Sequence, residues 1–189
     1  MTDDLKARTR ASAVAAITVL GIFAVASLIA AVIWKASVDL PRWQRSGQSI
    51  TFGPIEATKT IGVDAVYLFV SVPIALIVGA ALMYWRRRTP VTTVALIALA
   101  AVCAAALMER FGLMIGPSSP ADVLRTAASG ATAPVRLQIQ ATGVLMAWPG
   151  GAVLGALLVL LIAPGYAFDP VDEPADGIDS GRLNELPTV

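Results

Sequence analysis

Long apolar segments alternate with short polar ones along this chain. Four of them carry almost no charge, at about 12–34, 64–85, 91–108 and 139–163. The hydrocarbon core of a bilayer is about 30 Å thick and needs roughly 20 apolar residues per helix, and a helix satisfies its own backbone polar groups there. The pattern therefore predicts an all-α polytopic membrane protein, with four transmembrane helices in a compact bundle formed by residues 1–165.

The connections between the apolar segments carry two local signals. In the first connection, at about 35–62, the sequence Ser49-Ile50-Thr51-Phe52 is β-prone and predicts a short strand. In the second long connection, at about 111–137, Ser119-Pro120-Ala121-Asp122 has the pattern of a capped helix start. We therefore expect a short helix at about 120–129, either on the membrane surface or against the bundle.

The two ends of the chain need separate interpretation. The first apolar segment contains Ala24-Val25-Ala26, which is similar to a signal-peptide cleavage site, but it continues to Trp34. Because a signal peptide has an apolar region of only about 7–15 residues, an uncleaved anchor is preferred over a cleaved signal. Beyond Pro164 the chain becomes acidic and poor in apolar residues, so 166–189 is predicted to be a disordered cytoplasmic tail.

Composition narrows the classes of protein further. Hydrophobic residues make up 57% of the 189 residues and charged residues only 14%, against roughly a quarter charged in soluble domains. There is no histidine, and Cys103 is the single cysteine, so neither a disulfide within the chain nor a cysteine metal cluster can form. No catalytic or cofactor motif and no basic stripe for nucleic acid is present. We expect no enzyme, and the lipid bilayer as the main partner, with other membrane proteins or a second copy as further candidates.

Three consecutive arginines, Arg86, Arg87 and Arg88, form the short turn between the second and third apolar segments. Four crossings place both termini on one side, but Lys and Arg then total seven on each side, so density has to decide. The arginine turn and the basic N-terminus concentrate charge next to span ends, where it counts most. We expect both termini in the cytoplasm of a bacterium and the arginines at the inner face of the inner membrane, where they also suit anionic headgroups.

Polar residues also gather at the opposite ends of the predicted spans. Asp64 begins the second span, Glu109 and Arg110 end the third, and Arg136 precedes the fourth. Because these positions fall at one level, they form a candidate outer polar layer for a lipid headgroup, an ion or a partner, with Asp64–Arg136 or Glu109–Arg136 as candidate ion pairs. The alternative is that they are ordinary interfacial residues that snorkel or pair locally.

Small residues in the spans indicate where helices approach each other. Gly151 and Gly155 form a GxxxG motif in the fourth span, which can pack against a helix of the same chain or against a second copy. The alanine-rich third span also favours close packing, and Cys103 within it is interpreted as a small buried residue. Pro73 and Pro149 predict kinks in the second and fourth spans.

Several short motifs resemble a family of actinobacterial four-span membrane proteins of unknown function, the DUF2567 type. The resemblance rests on Asp64-Ala65-Val66-Tyr67-Leu68-Phe69, on Trp85-Arg86-Arg87-Arg88-Thr89-Pro90, and on Leu137-Gln138-Ile139 with Trp148-Pro149-Gly150. It covers most of residues 12–165. It implies four spans in a bacterial inner membrane and no particular activity.

Two functions fit these observations. The first is a non-enzymatic accessory or scaffolding subunit of the bacterial cell envelope, and the alternative is a small transporter or lipid-handling protein that uses the outer polar layer. A transporter needs a polar cavity that reaches the middle of the membrane, usually beside broken helices. Charged residues stop at the span ends, and only Ser71 and Thr142, with the two prolines, approach the interior. This favours the accessory subunit.

Overall fold

The computed structural model describes residues 2–47, 49–51, 54–87 and 89–162. The predicted tail at 166–189 and Arg88 lie outside these residues. The described part is 75% helical and contains four helices long and apolar enough to cross a membrane, which confirms the predicted fold class. In chain order the elements are α1 (Thr2–Ser37), β1 (Arg42–Ser46), β2 (Ser49–Thr51), α2 (Pro54–Trp85), α3 (Pro90–Ile115), α4 (Pro120–Leu124), β3 (Thr132–Pro134), a 3-10 turn (Thr142–Met146) and α5 (Ala147–Ile162).

The first three long helices extend beyond the predicted spans. The helix α2 begins at Pro54, ten residues before Asp64, and α3 continues past Glu109 to Ile115. The hydropathy pattern marks only the part of a helix that suits lipid, whereas the helix itself continues until a residue breaks it. Proline at the first position starts both α2 and α3, because its missing N–H has no partner to lose there. Gly116 and Pro117 follow the end of α3.

Two predictions for the second half of the chain are wrong. The fourth helix does not begin at 139: an extended segment leads into the 3-10 turn, and Pro149 lies in the first turn of α5 instead of kinking it. The surface helix α4 ends at Leu124 instead of near 129, and the Ser119 side chain makes no cap hydrogen bond. The Ser119 carbonyl instead accepts the N–H groups of Asp122 and Val123, so a single turn forms without a side-chain cap.

The four long helices form one bundle, in which α2 packs mainly on α5 and α1 mainly on α3. The two long connections lie at one end of the bundle, here called the loop end. The α2–α3 turn, the start of α1 and the end of α5 lie at the opposite end, here called the turn end. Large apolar side chains remain exposed along the helices, as expected for surfaces that face lipid. Among them are Val14, Ile17, Phe69, Ile77, Leu99 and Leu161.

Aromatic side chains fill the bundle toward its loop end. Trp34 and Tyr67 meet edge to face at 5.2 Å between ring centroids, and Phe23 and Trp148 at 6.1 Å. Trp34 is fully buried, and its Nε1 donates to the Val63 carbonyl at 3.1 Å. The ring therefore joins α1 to α2 inside the protein.

Both long connections contribute to a small antiparallel sheet with strand order β2-β1-β3. The strand expected near Ser49 is present as β2, whereas β1 and β3 were not predicted. Gln44 of β1 lies opposite Thr51 of β2 on one side and Thr132 of β3 on the other. The sheet with α4 is here called the cap. It is outside the four long helices and joins the connection before α2 to the connection after α3.

Candidate functional site

The cap at the loop end is held together by Arg45, a residue that the sequence did not single out. Its Nη1 lies 2.7–2.9 Å from the carbonyl oxygens of Leu124, Arg125 and Ala127, and its Nε donates to the Gly47 carbonyl at 3.0 Å. Hydrogen bonds with a charged donor are roughly twice as strong as neutral ones. Arg45 therefore fixes the C-terminal end of α4 against the β1–β2 hairpin.

Backbone geometry supports the same junction. The N–H of Gly130 donates to the Arg45 carbonyl at 2.8 Å, and the Arg45 N–H donates to Ala131 at 3.0 Å. Gly130 has φ +89° and Gly47 has φ +62°, a left-handed conformation that costs glycine little. Gly47 and Gly130 therefore allow the two turns of the cap, and Arg45 joins these turns through hydrogen bonds.

Asp64 lies at the loop end, but not at a helix terminus as predicted. From within α2 its two carboxylate oxygens accept the N–H groups of Gln140 at 3.1 Å and Ala141 at 2.9 Å. These two residues immediately precede the 3-10 turn, so the carboxylate acts as a helix cap supplied from another part of the chain. Asp64 therefore positions the start of the fourth crossing.

The other residues of the predicted polar layer are not drawn into one cluster. Glu109 is half-buried within α3, and Arg110 and Arg136 are exposed. Within the described ranges, the ion pairs join Lys59 to Asp39 at 3.0 Å and to Glu56 at 3.3 Å, so neither candidate pair with Arg136 forms there. Nor is any group of three His, Cys, Asp or Glu in those ranges placed to hold a metal ion.

Buried aromatic side chains lie beneath the polar groups of the loop end. The Tyr67 hydroxyl approaches the Ala105 carbonyl at 3.5 Å, and Trp148 Nε1 donates to the Met108 sulfur at 3.2 Å. Gly112 faces the Trp34 ring so closely that an added Cβ would lie 2.6 Å from it. This layer separates the cap from the middle of the bundle.

Gly151 and Gly155 both face α2 of the same chain. A Cβ added at Gly155 would overlap the Leu76 carbonyl, and one added at Gly151 would lie 3.0 Å from the Val72 carbonyl oxygen. Gly79 of α2 contributes from the other side, because a Cβ there would overlap the Ala152 carbonyl. The α2 and α5 backbones are therefore in direct contact, and Gly79 is a packing residue that the motif search missed.

The alanine-rich helix α3 buries Ala100, Ala101, Ala104 and Ala105 against the bundle. Cys103, interpreted from the sequence as buried, is instead exposed. Because four alanines occupy the inner face of the helix, the cysteine between them faces outward toward lipid.

At the turn end, one charged side chain has a buried donor atom without a hydrogen-bond partner among the described residues. Arg86 is half-buried, and its Nε is fully buried without a hydrogen-bond partner. Arg87 differs, because its guanidinium stacks on the Tyr84 ring at 4.2 Å and its Nε donates to the Tyr84 carbonyl at 3.0 Å. Two cavities adjoin here, of about 360 Å³ and 450 Å³, and both are lined by Trp85 and Arg86.

Comparison of the chain with protein-family models, curated proteins and solved structures finds no match. The function therefore has to be argued from the two ends of this bundle.

Proposed function

We propose that the chain is a non-enzymatic accessory or scaffolding subunit of the bacterial cell envelope, which presents its cap to a partner protein. The observation that carries the proposal is the cap itself. Two connections that are separate in sequence fold into one sheet, and Arg45 joins them through four backbone carbonyls. An ordered surface outside the membrane, mounted on a bundle of multi-pass helices, suits binding better than chemistry.

One face of the cap offers a polar surface for such a partner. Gln44, Thr51 and Thr132 lie opposite one another across the three strands, and all three are exposed. Residues opposite one another in a sheet share a face. This row of three uncharged polar side chains is available for hydrogen bonds with a second protein.

The interior of the bundle supports the scaffold over the transporter. The α2 and α5 backbones touch at Gly79 and Gly155, which leaves no space between these helices. Ser71 is fully buried, and Thr142 lies in the 3-10 turn at the loop end. The two cavities described above lie at the turn end, and neither Pro73 nor Pro149 lines them. A transport path through the middle of the membrane has no support from these contacts.

A photo-crosslinking experiment tests the scaffold. A photoreactive residue at Thr51 should yield one discrete protein adduct in intact cells, and Gln44→Arg in the same chain should abolish it. The matched control places the photoreactive residue at Leu161, an exposed apolar position of α5, where lipid adducts are expected. Lipid or self-adducts alone at Thr51, or an adduct that Gln44→Arg leaves unchanged, would overturn the proposal.

The proposal includes an orientation, with both termini in the cytoplasm and the cap outside. It rests on the density of positive charge near the α2–α3 turn and the N-terminus. Single cysteines at Ser46 and Thr89, both exposed, test it in a Cys103→Ala background. An impermeant maleimide should label Ser46→Cys in intact cells and Thr89→Cys only after permeabilisation. The reverse pattern would invert the orientation and place the cap in the cytoplasm.

A further inference from the structure

We propose that the crevice at the turn end binds the phosphate headgroup of an anionic phospholipid, with Arg86 holding the phosphate and the adjoining apolar wall holding the start of an acyl chain. The site is distinct from the cap and does not depend on the scaffold function. It is formed by the start of α1, the end of α2 and the α2–α3 turn.

Arg86 provides the first argument, because a buried donor without a partner is costly and uncommon in proteins. The Nε of Arg86 is such a donor, and within the described residues its guanidinium has no hydrogen-bond or ion-pair partner. A guanidinium presents a planar fork of N–H donors that matches the oxygens of a phosphate. A phosphate in the crevice would supply the acceptors that the described residues do not provide.

The charge around the crevice favours an anion. Arg87 lines the second cavity together with Tyr84 and Thr89, and its stacking on Tyr84 holds its charge at the rim. No aspartate or glutamate is among the described residues that line either cavity. No described carboxylate in the cavity walls therefore compensates either positive charge where the cavities join.

The walls of the first cavity indicate that the anion carries an apolar chain. Val14, Ala15 and Val19 of α1 and Leu82 of α2 line it, and the Thr18 hydroxyl there already donates to the Val14 carbonyl at 2.9 Å. Volumes of about 360 Å³ and 450 Å³ fall in the range of small-molecule sites. A free phosphate would use only the arginine, whereas a phospholipid would also cover the apolar wall.

The position of the crevice suits the same ligand. Tyr84 and Trp85, both exposed at the end of α2, are the residue types that concentrate at the level of lipid headgroups. The crevice opens beside Val14, which is 64% exposed on the outside of α1. An acyl chain can therefore leave the crevice along α1 and remain in lipid, while the phosphate stays at the interface.

Lipid competition with the full-length chain tests the proposal. The chain in mild detergent is offered phosphatidylglycerol or phosphatidylcholine, and retained lipid is counted by native mass spectrometry. We expect phosphatidylglycerol to be retained preferentially and Arg86→Gln to weaken its binding about tenfold, as for loss of one charge-assisted pair. Arg110→Gln, which removes an exposed arginine at the loop end, is the matched control and should change nothing.

A second variant tests the apolar wall without removing a charge. Ala15 is 9% exposed and lines the first cavity, so Ala15→Leu should fill it and weaken phosphatidylglycerol binding while Arg86 stays in place. A large excess of inorganic phosphate should fail to displace the lipid. Equal retention of phosphatidylcholine, equal losses in Arg86→Gln and Arg110→Gln, no effect of Ala15→Leu, or full displacement by inorganic phosphate would each overturn the proposal.

Discussion

The loop end and the turn end of the bundle use their charged residues in opposite ways. At the loop end, Arg45 binds four carbonyls, Asp64 accepts two backbone N–H groups and Lys59 contacts two carboxylates. At the turn end, the buried Nε of Arg86 has no hydrogen-bond partner among the described residues. Charges that the chain pairs itself serve its own architecture, whereas our proposal assigns the unpaired Nε of Arg86 to a lipid from outside. The contrast is therefore between a structural end and a proposed binding end.

The largest expected effect concerns the backbone contact between α2 and α5, on which both ends of the bundle depend. Gly155→Ala should destabilise the protein by about 2–3 kcal/mol, because the added methyl overlaps the Leu76 carbonyl and forces α5 away from α2. Thermal unfolding in detergent, followed by circular dichroism, measures it. Gly150→Ala lies in the same helix with open space around the added Cβ and should unfold like the parent chain. Equal stability of the two variants would show that α2 and α5 are not in backbone contact.

The next effect tests the structural end directly. Arg45→Met removes the charged donor from four carbonyls and should cost about 2 kcal/mol, with the loss concentrated in the cap. Hydrogen exchange should become faster at Gly130 and at position 45 itself, whose N–H groups donate across this junction. Arg42→Met, three residues earlier on an exposed position of β1, is the control. Unchanged exchange in Arg45→Met would mean that the arginine does not hold the cap together.

A smaller effect is expected at Asp64. Asp64→Asn keeps one acceptor oxygen and replaces the other with a donor, so at most one of the two backbone contacts survives. The expected cost is about 1 kcal/mol, as for loss of a helix cap, with faster exchange at Gln140 and Ala141. Glu109→Gln changes another carboxylate at this end and should leave both amides protected. Faster exchange in the Glu109 variant alone would transfer the capping role to that residue.

The smallest expected effect concerns the contrast between Arg86 and Arg45. Arg86→Met removes a guanidinium that has no partner within the described residues, so the free energy of unfolding without added lipid should not fall, because a buried donor without a partner already costs stability in the parent chain. Added phosphatidylglycerol should raise the melting temperature of the parent chain but not of this variant, because a ligand stabilises only the state that binds it. A loss of stability as large as that of Arg45→Met would make Arg86 another structural residue.

The apolar pattern was enough to predict four membrane-spanning helices, because it reports directly on the solvent that surrounds each segment. It could not locate the ends of the helices: α2 begins at Pro54 and α3 ends at Ile115, since a helix continues into water wherever no residue breaks it. The same limit explains why Asp64 was placed at a helix start. The sequence indicated the depth of Asp64 in the membrane, but it did not indicate that α2 begins ten residues before Asp64.

The polar contacts were not predictable from one sequence. Asp64 meets residues 76 and 77 positions away, and Arg45 meets carbonyls 79 to 82 positions away. Every residue carries a backbone carbonyl, so the residue identities do not show which carbonyls accept these hydrogen bonds. The GxxxG motif at Gly151 indicated a close contact between two helices. The small residues Gly79-Ala80 of the second span were the sequence signal for the other side of that contact. Nothing in the adjacent arginines indicated that Arg86 would be half-buried whereas Arg87 is exposed.

The order of the strands in the cap has a consequence for how the protein is made. β1 and β2 are synthesised before the second crossing, but β3 and the amides that Asp64 binds follow the third. Because a chain is produced from its N-terminus, the cap stays incomplete until more than two thirds of the residues have left the ribosome. A partner that recognises the finished cap would then ignore chains that end before β3.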